Sequence, residues 1–252
     1  MTEMIGVALS HQDAPAVVAP PILEVHNVSK RFGGIQAVNN ASISVRPGIV
    51  TGVIGPNGSG KSTLFNLITG LARVDRGEVL FNGQPVTNLS PNRINRLGIG
   101  RTFQLTRLFG KMTAHENLVV VARSGRQVAA ARADELLDLL SLSHVRDEYA
   151  ENLSYGQQKL IEFLRLMMTE PSLVLLDEPF AGVNPVMEKR LLAQMSGWLE
   201  SGKTILLTDH EMTIMMELCE ELFVLDHGEV IAQGRPEDIR RDERVMEAYF
   251  GR

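Results

Sequence analysis

The chain has 252 residues, of which 22% are charged and 44% hydrophobic, and its formal net charge is −5. These proportions are ordinary for a globular protein, and the negative charge argues against a general nucleic-acid-binding protein. A chain of this length can form one large domain, or one domain with an inserted lobe. Its single cysteine, Cys219, excludes an internal disulfide and indicates a reducing compartment. The sequence contains no apolar run of about 18 residues, so it predicts no membrane-spanning helix.

The first 21 residues differ in composition from the rest of the chain. They are rich in Ala, Val and Pro, they contain no Lys or Arg, and His11-Gln12-Asp13 interrupts them. A secretory signal peptide needs a basic start and an unbroken apolar stretch. We therefore predict a flexible N-terminal extension over residues 1–21 and one domain over residues 22–252.

The first predicted elements are antiparallel strands within residues 22–45. Leu23, Val25 and Asn27 fall on one side of the first strand, if the alternation is regular. A second alternation covers residues 41–45, and the turn residues Arg46-Pro47-Gly48 follow it.

Residues 55–63 carry the strongest chemical signal. They read Gly55-Pro56-Asn57-Gly58-Ser59-Gly60-Lys61-Ser62-Thr63 and fit the phosphate-loop (Walker A) pattern G-x-x-x-x-G-K-[ST]. The apolar run before them predicts a buried strand, and residues 64–70 have helical spacing. In this context, backbone N–H groups and the helix N-terminus bind a phosphate chain. Lys61 is expected to reach the β- and γ-phosphates of a nucleotide, and the Ser62 hydroxyl to bind Mg²⁺.

Two strands and a short helix follow, and after them comes a mostly helical block. The sequence predicts, in order, a strand over residues 78–83, a short helix over 91–96, a strand over 99–103, a helix over 129–142 and a helix over 158–168. Thr113 with Glu116, and Ser154 with Gln157, have the spacing of capping boxes. Four leucines are expected to form one apolar stripe of the helix over residues 129–142: Leu136, Leu137, Leu139 and Leu140. We predict an inserted helical lobe at about residues 105–165.

An α/β pattern then returns. It predicts a buried strand over residues 173–176, a helix that starts at Asn184-Pro185, a strand over 204–207, a strand-turn-strand over 222–231 and a helical tail over 236–250.

Two carboxylates follow the strand over residues 173–176. Open α/β sheets bind ligands at the carboxyl ends of their parallel strands. Asp177 is therefore expected to hold Mg²⁺ together with Ser62, and Glu178 to orient or deprotonate a water molecule for attack on the γ-phosphate.

Further segments resemble the nucleotide-binding subunit of ATP-binding cassette transporters. Residues 153–158 read Leu-Ser-Tyr-Gly-Gln-Gln, similar to the family's L-S-G-G-Q segment but with Tyr155 in place of a glycine. The resemblance implies an α/β fold, in which a P-loop NTPase (RecA-like) core carries an N-terminal antiparallel β subdomain and an inserted α-helical lobe. It also implies that Ser154, Gly156 and Gln157 bind an ATP held by the opposite subunit, since a helix N-terminus suits an anion.

Three other positions match the family's pattern. Phe32 occupies the place of an aromatic residue that stacks on adenine, and Gln104 that of a glutamine that contacts Mg²⁺ and the attacking water. His210 follows a predicted parallel strand and matches a histidine that contacts the γ-phosphate. Asn184 departs from the pattern, which usually has Asp at this position; Asn keeps the capping function but lacks the charge.

Within the family, the motifs resemble those of the ATPases of branched-chain and hydrophobic amino-acid importers. ATPases of urea and short-chain amide importers share these marks, and a lipopolysaccharide-export ATPase shares the run Asp177–Val183. The resemblance implies ATP and Mg²⁺ as cofactors. Its implied partners are a second nucleotide-binding subunit, two transmembrane permease subunits and, indirectly, a periplasmic solute-binding protein, with no nucleic acid. The chain would lie at the cytoplasmic face of the cell membrane, with permeases docking near Leu108, Phe109 and Met112.

Two other classes remain open from the sequence. A soluble cassette ATPase of translation or DNA repair usually has two cassettes or a long coiled coil, and neither is present here. A nucleotide kinase or GTPase would share the phosphate loop, but it would not require the Ser154 segment or His210, and the guanine-specific sequence N-K-x-D does not occur.

Overall fold

The computed structural model describes residues 19–103, 106–209 and 211–250. The predicted extension over residues 1–21 therefore lies almost wholly outside the described residues.

Two sheets and the helices around them make up the described chain. The strands are β1 Leu23–Phe32, β2 Ile35–Val45, β3 Val50–Ile54, β4 Arg76–Phe81, β5 Gln84–Pro85, β6 Ile99–Arg101, β7 Leu173–Asp177, β8 Thr204–Thr208, β9 Glu221–Asp226 and β10 Glu229–Gly234. The helices are α1 Lys61–Ile68, α2 Pro91–Leu97, α3 Ala114–Val119, α4 Arg126–Leu139, α5 Tyr155–Thr169, α6 Pro185–Glu200, α7 Met212–Leu218, α8 Pro236–Ile239 and α9 Glu243–Phe250.

The larger sheet has the order β10-β9-β3-β8-β7-β6. Its strands β9, β3, β8, β7 and β6 are parallel, and β10 is antiparallel at one edge. Every residue of β3, β7 and β8 is buried, as expected for parallel strands covered on both faces. The parallel arrangement brings the ends of β3, β7 and β8 to one edge, where the phosphate loop follows β3, Asp177 ends β7 and Thr208 ends β8.

The smaller sheet is antiparallel, in the order β2-β1-β4-β5. One hydrophobic core fills the space between this sheet, α1 and one face of the parallel sheet, and it contains Val25, Phe65 and Leu206. A second core packs α3 to α6 against the other face, where the rings of Phe163 and Trp198 stack with centroids 4.4 Å apart. Helix α1 is thus held between the two sheets, which makes the start of the phosphate-loop helix rigid.

The predicted alternation in β1 is wrong at one residue. Asn27 is exposed, whereas Leu23, Val25 and Val28 are buried, because a bulge lies between Val25 and Val28. Asn27 has φ 50°, a conformation that Asn tolerates better than most residues. Its backbone N–H and side-chain oxygen both hydrogen-bond the Ser42 hydroxyl, at 2.9 and 3.0 Å.

Two helix predictions also need correction. Leu139 lies outside the apolar stripe of α4 and is exposed, whereas Leu136, Leu137 and Leu140 are buried. The tail is not one helix over residues 236–250, since α8 ends at Ile239 and α9 begins at Glu243. The strand predicted over 99–103 ends at Arg101, although the Thr102 N–H still donates to the Leu175 carbonyl at 3.0 Å.

Candidate functional site

The phosphate loop joins β3 to α1. Gly60 has φ 109°, and a Cβ at this position would lie 2.4 Å from the Ala37 carbonyl oxygen of β2, so only glycine fits. The loop is also tied to the rest of the fold, because Gly228 donates its N–H to the Ser59 carbonyl at 2.9 Å and accepts one from Asn39 at 2.8 Å. The loop conformation therefore depends on contacts from both sheets.

Lys61 is buried at the start of α1. Its ammonium group donates to the carbonyls of Gly55 and Pro56, at 2.7 and 3.0 Å. Burial lowers the pKa of Lys61, and the nearby carboxylates of Glu178 and Asp177 oppose that shift. The phosphate-loop lysine and the two carboxylates predicted from the sequence are thus close enough to interact electrostatically.

The Ser62 side chain is exposed in the second position of α1. Asn57 and Gly58 of the loop are also exposed, whereas Gly55 and Ser59 are buried. The loop therefore presents both exposed backbone and an exposed hydroxyl to a ligand at the edge of the sheet.

Asp177 ends β7 and is 3% exposed. Its Oδ2 accepts a hydrogen bond from Arg101 Nη2 at 2.7 Å, whereas its Oδ1 has no hydrogen-bond partner in the described part of the chain. An ionised oxygen that is buried without a partner is costly, so a ligand at this position would relieve that cost.

Glu178 is half-buried, with φ 48°, an uncommon conformation for a residue other than glycine. Its N–H donates to the Thr208 carbonyl at 2.8 Å, and its carbonyl accepts from Lys159 Nζ at 2.8 Å. Lys159 is buried, and burial lowers its pKa. Contacts from β8 and α5 therefore hold the Glu178 backbone in this strained turn.

Phe32 lies at the tip of the β1–β2 hairpin and is 50% exposed. The Lys30 ammonium group is 5.3 Å from the centre of its ring. The same hairpin carries Ala37, which contacts Gly60, so Phe32 stands on an element that touches the phosphate loop.

The Ser154 segment begins α5. Ser154 Oγ accepts the Gln157 N–H at 3.4 Å, and Gln157 Oε1 accepts the Ser154 N–H at 2.9 Å, which confirms the predicted capping box. Gly156 packs against α6, where an added Cβ would lie 2.7 Å from Met187 Sδ. The segment is therefore packed on its own helices, and Ser154 is exposed.

Two predicted site residues, Gln104 and His210, lie outside the described residues. Contacts with Glu162 hold the chain before and after the segment that contains Gln104. Glu162 of α5 accepts the backbone N–H groups of Phe103 and Arg107, which flank the segment that contains Gln104. Burial is the main reason that the pKa of Glu162 rises to about 7.

Sequence reasoning missed three residues near this site: Arg101, Glu162 and Tyr249. Arg101 is the one charged residue of the strand predicted over residues 99–103, and Glu162 stands between Ile161 and Phe163. A charge at such positions could have revealed both residues. Tyr249 of α9 gives no such signal. The Gly55 backbone hydrogen-bonds its phenol oxygen, and burial raises the pKa of Tyr249 to about 12.

Two segments of the chain are similar to known protein families. The ABC transporter family matches residues 38–181, and the family of branched-chain amino acid ATP-binding cassette transporters matches residues 229–252. The chain belongs to the ATP-binding cassette transporter family. Like the members of that family, this cassette is an ATPase.

The relatives cover almost the whole cassette. A protein named probable branched-chain amino acid transport ATP-binding protein LivG, from Archaeoglobus fulgidus, is 40% identical over 91% of this chain and 95% of its own length. The high-affinity branched-chain amino acid transport ATP-binding protein LivG of Escherichia coli K12 is 36% identical over 93% and 99%.

Solved structures give the same fold. A nucleotide-free ATP-binding cassette from an ABC transporter superposes with a TM-score of 0.82 at 35% identity, covering 92% of this chain and 100% of that one. A dimeric cassette in a post-hydrolysis state, bound to ADP and Pi, has a TM-score of 0.77 at 26% identity, over 85% and 98%. The prediction of a P-loop NTPase core is confirmed. In the described part of the cassette, every helix is too short or too polar to cross a bilayer.

Proposed function

We propose that the cassette binds ATP with Mg²⁺ through residues 55–63 and Asp177, and that Glu178 activates the attacking water. The observation that carries this proposal is the buried Lys61 of the phosphate loop, which interacts electrostatically with both carboxylates at the edge of the parallel sheet. Its ammonium group now binds two loop carbonyls, and a phosphate chain would offer it ionised oxygens instead.

The residues at this edge suit magnesium. Asp177 Oδ1 is a buried carboxylate oxygen without a partner among the described residues, and Ser62 offers an exposed hydroxyl. Oxygen ligands are those that Mg²⁺ prefers, and it usually takes only one or two carboxylates together with substrate phosphates. The described residues contain no group of three or more His, Cys, Asp and Glu that could hold a metal alone, in keeping with such a shared site. We further propose Gln104 as a metal ligand from its position in the sequence. When bound, Mg²⁺ would neutralise charge on the β- and γ-phosphates.

The remaining site residues act on the nucleotide. Phe32 offers an exposed ring on which adenine would stack, and His210 is proposed to contact the γ-phosphate. Glu178 is proposed as the general base, and hydrogen bonds with Thr208 and Lys159 hold its backbone at the edge of the sheet.

The second half of the nucleotide site is proposed to come from another subunit. Ser154, Gly156 and Gln157 stand at the N-terminus of a 15-residue helix, where backbone N–H groups favour an anion. The segment packs on α6 instead of the phosphate loop, and a related cassette has been solved as a dimer with ADP and Pi. A homodimer or a dimer with a paralogue would bind ATP between Gly55–Thr63 of one subunit and Ser154 of the other.

The names of the relatives support a transport role. We propose that the cassette powers uptake of branched-chain or other hydrophobic amino acids, together with two permease subunits and a periplasmic solute-binding protein. It would then lie at the cytoplasmic face of the cell membrane. The cargo would touch those other subunits, so a urea or short-chain amide importer and a lipopolysaccharide-export system remain alternatives at the level of the substrate.

The decisive experiment uses Glu178→Gln. This variant should bind ATP with the affinity of the parent, hydrolyse it about 10²- to 10⁴-fold more slowly, and accumulate as an ATP-loaded dimer. Isothermal titration, phosphate release and light scattering after size exclusion measure these three quantities. Glu170→Gln is a matched control, because Glu170 also has φ 48° but is exposed at the end of α5. A Glu178→Gln protein with full turnover would exclude Glu178 as the base.

A further inference from the structure

Arg101 is a buried cation beside the proposed magnesium site. Its side chain is 6% exposed, and its Nη2 lies 2.7 Å from Asp177 Oδ2. A buried ion pair does not by itself stabilise a fold, because the two groups lose much of their hydration. The hydrogen bonds and ring contacts around this ion pair indicate a further role for Arg101.

The guanidinium group connects three elements. From β6, Arg101 reaches across to the end of β7, and its Nη1 donates to Asn66 Oδ1 at 2.8 Å and to Thr69 Oγ1 at 3.2 Å. Both of these residues follow Lys61 on the phosphate-loop helix or its C-cap. The planar guanidinium group of arginine carries several N–H donors in fixed directions, so it can make these contacts at the same time. The ammonium group of lysine lacks this geometry.

Two aromatic rings lie beside the guanidinium group of Arg101. The guanidinium carbon lies 5.5 Å from the centre of the Phe65 ring and 5.2 Å from that of Phe103. Burial lowers the pKa of Arg101, and the charge of Asp177 is the main influence that opposes the shift. The side chain is thus fixed by packing, hydrogen bonds and charge together.

The two carboxylate oxygens of Asp177 have different surroundings. Arg101 binds Oδ2, and Oδ1 is left buried without a partner in the described residues. The geometry points to Arg101 as a positioning residue that orients the Asp177 carboxylate from the phosphate-loop helix, so that Oδ1 is presented to magnesium. This inference rests on the proposed role of Asp177 toward Mg²⁺.

The test measures binding of ATP by isothermal titration, in excess MgCl₂ and in EDTA, for the full chain and two variants. Arg101→Met removes the positive charge, and Arg101→Lys keeps the charge but lacks the planar guanidinium group. The parent should bind ATP more tightly with Mg²⁺. Loss of a group that orients a metal ligand typically costs about 10- to 100-fold in metal affinity, so most of this tightening should disappear in Arg101→Met and be reduced in Arg101→Lys, with affinity in EDTA retained.

Arg123→Met is the matched control. Arg123 is an exposed arginine that donates to the backbone carbonyl and the side-chain oxygen of Asn95, at 2.7 and 2.8 Å. Its replacement by Met should leave the magnesium effect on ATP binding unchanged. In an Asp177→Asn background, Arg101→Met should cause no further loss of the magnesium effect, because the two residues act on one contact.

The outcomes separate the two proposals. A parent that binds ATP equally with and without Mg²⁺ would refute the magnesium role itself. If the parent tightens and a folded Arg101→Lys tightens equally, Arg101 does not position Asp177. Equal losses in Mg²⁺ and in EDTA, together with a lower melting temperature, would show a purely structural role and overturn the inference. Arg101→Lys also decides the question if Arg101→Met fails to fold.

Discussion

At the scale of single residues, the site depends on charged groups held in a mostly apolar interior. Asp177, Lys61, Lys159 and Glu162 are all buried, and each faces a group of opposite charge or a backbone dipole. Such groups are expensive to bury unless a partner offsets the lost hydration.

Glu162 makes stability depend on pH. Burial raises the pKa of its carboxyl to about 7, against the opposing influence of two N–H groups and of Arg165 and Lys159. Because this folded-state pKa lies above the unfolded value, the folded chain binds the proton more tightly, and stability falls as pH rises from about 5 to about 8. Glu162→Gln should remove this loss, which is on the order of 3 kcal/mol at most.

Urea unfolding of the parent and of Glu162→Gln at pH 5 and pH 8 measures the difference. The exposed Glu170→Gln serves as the control, since its carboxyl has no comparable burial. Stability curves that run parallel in the parent and in Glu162→Gln would contradict the assignment of the pH dependence to this group.

At the scale of elements, side-chain caps start two helices of the block between β6 and β7, and also the helix that follows β7. Thr113, Ser154 and Asn184 cap α3, α5 and α6, as the sequence predicted. Capping is a local effect, and it depends on residues only two or three positions apart. That is why these helix starts could be predicted without knowledge of the fold.

Substitutions of Asn184 test two things: the cap of α6, and the effect of an Asn where the family usually has Asp. Its Oδ1 accepts the N–H groups of Val186 and Met187, both at 3.0 Å. Asn184→Ala should lower the free energy of unfolding by about 1 kcal/mol. Asn184→Asp should keep both hydrogen bonds and gain about 0.3–1 kcal/mol from its charge at the helix N-terminus.

Denaturant unfolding without nucleotide measures both variants of Asn184. Ser196→Ala, in the same helix, is a suitable control, because its hydroxyl bonds only within the helix, to the Leu192 carbonyl at 3.1 Å. If Asn184→Asp is less stable than the parent, the helix dipole is not the dominant charge at this position.

At the scale of the whole molecule, the helical block between β6 and β7 presents an exposed aromatic. Phe109 is 49% exposed and lies beside Arg165, whose guanidinium carbon is 5.2 Å from the ring centre, whereas Leu108 is partly buried against the core. Of Leu108 and Phe109, which the sequence placed near the docking site, Phe109 is therefore the better exposed anchor for another subunit.

Phe109→Ser should weaken binding to the proposed permease subunits by at least about tenfold, because exposed aromatic anchors carry much of an interface's binding energy. The ATPase rate of the isolated cassette should stay unchanged. Co-purification from membranes measures the first effect, with Val128→Ser on α4 as an exposed apolar control. A Phe109→Ser protein that co-purifies as well as the parent would place the docking surface elsewhere.

The sequence by itself determined the phosphate loop, the two acids at the carboxyl end of β7, the capped helices and the family, because each depends on residues close together in the chain. Tertiary structure decided which side chains meet across long separations. Arg101 and Asp177 are 76 positions apart, and only the pairing of β6 with β7 brings them together. Asn27 and Leu139 were misassigned for the same reason: a bulge held by a neighbouring strand, and a helix face chosen by its packing partners, override the local period.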